Sequence, residues 1–111
     1  SGELKHGPIA LIDENMSVVA LNPSTKVFEK TLSNLEEVNA RSGKIILLTD
    51  KKGKDLSKNL TKSIFQLPTC FDSVVPILYA LPLQLIAYYT ALYKGTDVDQ
   101  PRNLAKSVTV E

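Results

Sequence analysis

The run Ile45-Ile46-Leu47-Leu48 constrains the fold of this chain more than any other feature. It is apolar without alternation, and a strand of that kind must be covered on both faces, as in a parallel sheet. Upstream, Met16-Ser17-Val18-Val19-Ala20-Leu21 is short, β-branched at its centre and stopped by Asn22-Pro23, so it reads as a strand entering a turn. Between the two, Val27, Phe28, Leu32, Leu35 and Val38 recur at spacings of three and four, against a charged remainder of Glu29, Lys30, Glu36, Glu37 and Arg41. That pattern predicts an amphipathic helix from Ser24 to Ser42. Strand, helix, strand makes a βαβ unit with a right-handed crossover.

The ends of the helix carry their own signals. Ser24 or Thr25 is placed to cap its start, and Gly43 is expected to supply the left-handed residue that closes it, with Arg41 favoured there by the macrodipole. A hydroxyl pair after a strand and before a helix also has the look of a phosphate site, but the surroundings are poor in glycine and simple capping is the preferred reading. The stretch from Asp50 to Lys62 holds five lysines. Asp50 and Asp55 dilute that charge and no aromatic residue interleaves it, so it reads as a solvated loop and not as a nucleic-acid surface. Ser63-Ile64-Phe65-Gln66-Leu67 reads as a third strand, ended by Pro68, after a connection about long enough for a second parallel crossover.

From Val74 to Tyr93 the chain is almost continuously apolar. A membrane span has this length, but Pro76, Pro82, Gln84 and Thr90 argue against one, because hydrocarbon cannot replace the backbone pairing that proline removes. Two buried helical pieces, the second restarting at Pro82, are expected instead. An all-round apolar helix needs cover on every side, and three short strands with one amphipathic helix supply too little. A partner chain, or an N-terminal part of the same fold, is therefore expected to complete the enclosure.

The 111 residues, 43% hydrophobic and 23% charged, are enough for one core. A net charge of +1 creates no long-range field of the kind that draws a protein to nucleic acid or an anionic membrane, and neither partner is expected. Cys70 is the only cysteine and His6 the only histidine. An internal disulfide and a Cys/His zinc cluster are thus both ruled out, no metal or cofactor is expected, and a reducing, cytoplasmic setting is the natural reading. The opening residues lack an apolar stretch after a basic start, so they do not read as a signal peptide, and they begin as a cut chain would.

The final segment leaves helical periodicity. By composition alone it is a frayed tail and Lys106 an ordinary solvated lysine. Its wording says more. Thr96-Asp97-Val98-Asp99-Gln100-Pro101-Arg102-Asn103-Leu104-Ala105-Lys106-Ser107-Val108-Thr109-Val110-Glu111 resembles the terminal signature of the glutamine:fructose-6-phosphate amidotransferases, also called glucosamine-6-phosphate synthases. At the other end, Gly2-Glu3-Leu4-Lys5-His6-Gly7-Pro8, followed by Ala10-Leu11-Ile12-Asp13, is similar to the glycine-histidine loop of that family's second sugar-isomerase (SIS) domain. Pro82-Leu83-Gln84-Leu85-Ile86-Ala87-Tyr88-Tyr89 resembles its last long helix. The resemblance spans essentially the whole chain and is most specific at the two ends.

It implies an enzyme in two parts. An N-terminal glutaminase releases ammonia, and an isomerase half built of two SIS domains uses it to turn fructose 6-phosphate into glucosamine 6-phosphate. Lys106 matches the lysine that forms a Schiff base with C2 of the open-chain ketose. A free lysine amine has a pKa of about 10.4, so attack requires desolvation or a neighbouring cation, and a closed tail would supply the first. His6 matches the histidine that helps to open the cyclic sugar, in a site shared with the neighbouring subunit, and imidazole chemistry suits proton transfer near neutral pH. Ala105, beside Lys106 in the sugar site, and Val108 match small tail positions that shape an ammonia passage, and Arg102 lies in the same closing tail. The family's enolising glutamate and its phosphate-binding Ser/Thr loop match nothing in these residues. Its glutaminase nucleophile is an N-terminal cysteine, and Cys70 does not correspond to it.

The expected fold is α/β: residues 1–95 form the C-terminal portion of a SIS domain, a small parallel sheet flanked by helices, and residues 96–111 form an irregular catalytic tail. The expected partners are fructose 6-phosphate or glucosamine 6-phosphate, the remainder of the same polypeptide, and a second subunit of a homodimer. The chain by itself is expected to be inactive. The alternative is a non-catalytic regulatory module that binds a sugar phosphate on SIS architecture.

Overall fold

The structure is a computed structural model that describes residues 2–100. Two short 3-10 turns, Gly2–His6 and Pro8–Leu11, lead into β1 (Ser17–Leu21), α1 (Phe28–Ala40), β2 (Lys44–Thr49), α2 (Lys51–Leu56), β3 (Ser63–Gln66) and α3 (Val75–Tyr93). The three strands form one parallel sheet in the order β1-β2-β3. The register pairs Ala20 with Leu47 and Leu47 with Ile64, which places these three residues on one face. Compact packing divides the chain into two units after Val75.

In the first unit the amphipathic stripe of α1 meets that face. Leu35 and Val38 cluster with Ala20, Ile45 and Leu47, and Leu4, Ile12, Val18, Leu60 and Ile64 pack around the rim. Val38 and Leu47 are completely buried. The central strand is covered as its sequence requires, with Leu48 also at 0% exposure on the opposite face. Its neighbours are not. Val19, Leu21 and Phe65 share the Leu48 face, and Phe65 is 56% exposed.

Four details depart from the sequence reading, each for a physical reason. α1 starts at Phe28, its N-cap position is Val27, and no side chain caps it. Ser24 is engaged elsewhere, by Asp50. At the other end the left-handed residue is Ser42 (φ 63°), not Gly43. Ser42 N–H donates to Asn39 O and Gly43 N–H to Val38 O, the paired bonds of a Schellman closure. Gly43 answers a different need, since a Cβ there would lie 2.7 Å from Ile12 Cγ2 and 2.8 Å from Val38 Cγ1.

The lysine-rich stretch is not all loop, because Asp50 caps it into α2, its side chain accepting from Gly53 N–H. Finally, α3 is one continuous helix with Pro82 inside it. Proline removes one intrahelical bond at a cost of about 3 kcal/mol, and the leucines, alanine and glutamine around it are strong enough helix formers to carry the helix through. Pro76 sits in the first turn, where its missing N–H would have had no helical partner. Among the described residues of α3, Tyr79 is buried while Ile77, Leu81, Leu85 and Leu92 are exposed. By length and composition the helix could cross a membrane.

Candidate functional site

In parallel α/β sheets, ligand chemistry gathers beyond the carboxyl ends of the strands. Here β1 ends into Asn22-Pro23-Ser24 and β2 into Asp50, side by side. Asn22 N–H donates to Leu48 O at 3.0 Å, continuing the ladder. Thr49 Oγ1 donates to Asn22 O at 2.6 Å, and Asn22 Nδ2 donates to Phe28 O at 3.3 Å, fixing the start of α1. Asp50 takes Ser24 Oγ–H and Gly53 N–H on Oδ1 and Ser24 N–H on Oδ2, at 2.7, 2.9 and 2.8 Å.

Burial pushes the Asp50 carboxyl up, but the bonds from Gly53, from the hydroxyl and N–H of Ser24, and from the Lys52 N–H together outweigh it and hold the group below its ordinary value of 3.8. Gly53 is buried against this knot, where a Cβ would collide with Thr49 Oγ1 and come within 3.0 Å of Phe28 Cε2. The carboxylate is committed to holding three chain segments together. Sequence reasoning took Asp50 only as a charge diluting the lysines. The readable signal was its place directly after a strand and three residues before Gly53, the spacing of a helix cap.

His6 ends the first 3-10 turn on an exposed face. Leu4 packs against the core, and Lys5 Nζ pairs with Glu37 Oε1 of α1 at 2.6 Å, so the turn is fastened to the first unit from two sides. His6 Nδ1 lies 3.1 Å from Glu3 Oε2. Gly7 follows with φ 149°, a value glycine tolerates, and Pro8 opens the next turn. Sequence reading singled out the histidine and missed Glu3, although a spacing of three on a 3-10 turn places both on one face.

In the second unit, α3 closes on Gly95 (φ 68°), with Gly95 N–H donating to Leu92 O and Thr96 N–H to Ala91 O. Thr96 Oγ1 adds a second bond to Ala91 O at 2.9 Å. Asp97 Oδ1 then accepts from the N–H groups of Asp99 and Gln100, folding the next turn. Ala87, Tyr88, Ala91, Thr96 and Val98 line an open groove along this end of the helix. Arg102, Ala105, Lys106 and Val108 lie outside the described residues. Of the predicted site residues, His6 alone is located. Among the described residues no three His, Cys, Asp or Glu side chains form a group that could hold a metal ion.

Residues 1–94 match the family model for the SIS domain. The chain is 59% identical over all 111 residues to the isomerizing glutamine–fructose-6-phosphate aminotransferase of Agrobacterium fabrum, and 60% identical to that of Rhizobium meliloti. It spans 18% of the length of each. Among solved structures it resembles the C-terminal domain of glucosamine-fructose-6-phosphate aminotransferase from Francisella tularensis, with 48% identity, a TM-score of 0.81, and coverage of 90% of this chain and 28% of that one. The family match runs through the whole of α3, which assigns that apolar helix to the domain. The chain belongs to the SIS domain family.

Proposed function

We propose that this chain serves the isomerase half of a glutamine-dependent aminotransferase that converts fructose 6-phosphate and glutamine into glucosamine 6-phosphate and glutamate. The observation that carries this reading is identity near 60% along all 111 residues, both ends included, to relatives named for that reaction. His6 and Lys106 are the two catalytic residues. His6 moves the proton that opens the cyclic sugar, in a site completed by a neighbouring subunit of a homodimer. The neutral amine of Lys106 attacks C2 of the open ketose, and loss of water from the adduct gives the imine.

Residues 96–111 act as a closing tail, in which Ala105 and Lys106 meet the sugar while Arg102, Ala105 and Val108 border the route by which ammonia arrives. Closure supplies the desolvation that the lysine needs. The enzyme works in the cytoplasm, and the 111 residues alone do not catalyse the reaction. Exposure of the Val19, Leu21 and Phe65 face and of α3 supports a need for the rest of the polypeptide.

The test is glucosamine 6-phosphate formation by the full-length polypeptide that carries this chain. Lys106→Arg abolishes it and His6→Gln lowers it by two orders of magnitude or more, on the scale of general acid–base catalysis, ~100-fold. Activity unchanged in Lys106→Arg would leave the regulatory, sugar-phosphate-binding reading in its place.

A further inference from the structure

We propose that Glu3 is a positioning residue for His6, its carboxylate holding the imidazole in the tautomer with the proton on Nδ1 so that Nε2 is presented as the base. The inference rests on the reading of His6 as the residue that opens the sugar ring. Three residues complete a turn of 3-10 helix, so the side chains at positions 3 and 6 eclipse. Glu3 Oε2 accordingly lies 3.1 Å from His6 Nδ1. An ionised carboxylate can only accept, and the bond therefore requires the proton to be on Nδ1. Among the described residues the ring has no other partner, which leaves Nε2 open.

The backbone beneath the pair is held independently, by Leu4 on the core and by Lys5 on Glu37. Glu3 itself is 92% exposed along its side chain and the pair is solvated, so it adds almost nothing to stability. Its consequence is directional. Opening a cyclic ketose breaks the O–H bond of the C2 hydroxyl as a base takes the proton. The C2 carbonyl then forms as the bond from C2 to the ring oxygen breaks, and the same proton passes to that oxygen. A neutral imidazole carries out both halves through one nitrogen, provided the other nitrogen already holds the ring proton.

The kinetic test uses the full-length polypeptide with Glu3→Ala, Glu3→Gln and His6→Gln. Glu3→Ala is expected to lower kcat on the order of tenfold with KM nearly unchanged, the pattern of an interaction that acts in the transition state. Glu3→Gln, whose amide oxygen still accepts from Nδ1, recovers most of that loss. A second readout is independent of activity. Multiple-bond nitrogen-15 spectra of the full-length polypeptide, with the His6 signals identified by their loss in His6→Gln, report its tautomer. The Nδ1–H fraction should be larger with Glu3 than in Glu3→Ala. If His6→Gln is impaired while Glu3→Ala has full activity, or if the tautomer is the same with and without Glu3, the positioning role is wrong. If His6→Gln is fully active, the ring-opening reading of His6 itself is wrong.

Discussion

Ser24 and Asp50, 26 residues apart, are joined twice: the serine hydroxyl donates to Oδ1 at 2.7 Å and the serine N–H to Oδ2 at 2.8 Å. Because the same carboxylate caps α2 through Gly53 N–H, one side chain ties the loop after β1 to the helix after β2. Asp50→Ala should cost about 2–3 kcal/mol, the scale of a lost cap and charge-assisted bonds that leave buried donors unpaired. Thermal or denaturant unfolding reads this directly, and a loss below ~0.5 kcal/mol would contradict it.

The pH dependence follows with a definite sign. The Asp50 carboxyl lies below 3.8 in the folded chain, so its contribution is complete above 3.8 and disappears as pH falls through the lowered value. The stability gap between the native chain and Asp50→Asn should be flat from neutral pH down to about 4 and should narrow below it. A gap that widens on acidification would reverse the sign and sink the account of this carboxylate.

The closure of α1 supports a paired prediction at adjacent positions. Ser42 is the left-handed residue, so Ser42→Gly relieves backbone strain and should stabilise by up to about 1 kcal/mol. Gly43→Ala should destabilise by about 1–3 kcal/mol, because its Cβ would press on Ile12 and Val38 and Val38 is wholly buried. Opposite signs in melting temperature at neighbouring residues are the check.

These two sites show where the sequence was readable. The βαβ unit was legible because the α1 stripe and the β2 run Ile45 to Leu48 each commit to one period, and the third strand followed from Ser63 to Leu67. What stayed hidden depended on contacts between distant residues. Ser24 looks like a cap until Asp50 is seen to claim it, and Gly43 looks like the left-handed residue until its crowding against Ile12 is visible. Pro82 was misread because a local breaker rule was given more weight than the nineteen-residue helix around it. The proposed roles of His6 and Lys106 rest on the family wording of the two ends and not on any local pattern, and the proposal for Glu3 rests on the 3-10 geometry.

The open faces predict behaviour in solution. Val19, Leu21 and Phe65 on the sheet, with Ile77, Leu81 and Leu85 on α3, present large apolar side chains to water within this chain. The isolated 111 residues should therefore bind a hydrophobic-surface dye and form aggregates larger than a dimer, and both effects should vanish in the full-length polypeptide, which stays a dimer. Dye fluorescence and sedimentation at matched concentration measure this. A monodisperse monomer that leaves the dye dark would show that the chain covers these faces itself.

The most direct measurement is borohydride reduction of the full-length polypeptide in the presence of fructose 6-phosphate, followed by peptide mass spectrometry. Reduction turns an imine into a stable secondary amine, so the account predicts one hexose phosphate fixed on Lys106 and none in Lys106→Arg. Sugar fixed elsewhere, or no adduct with an enzyme that is turning over, would contradict it.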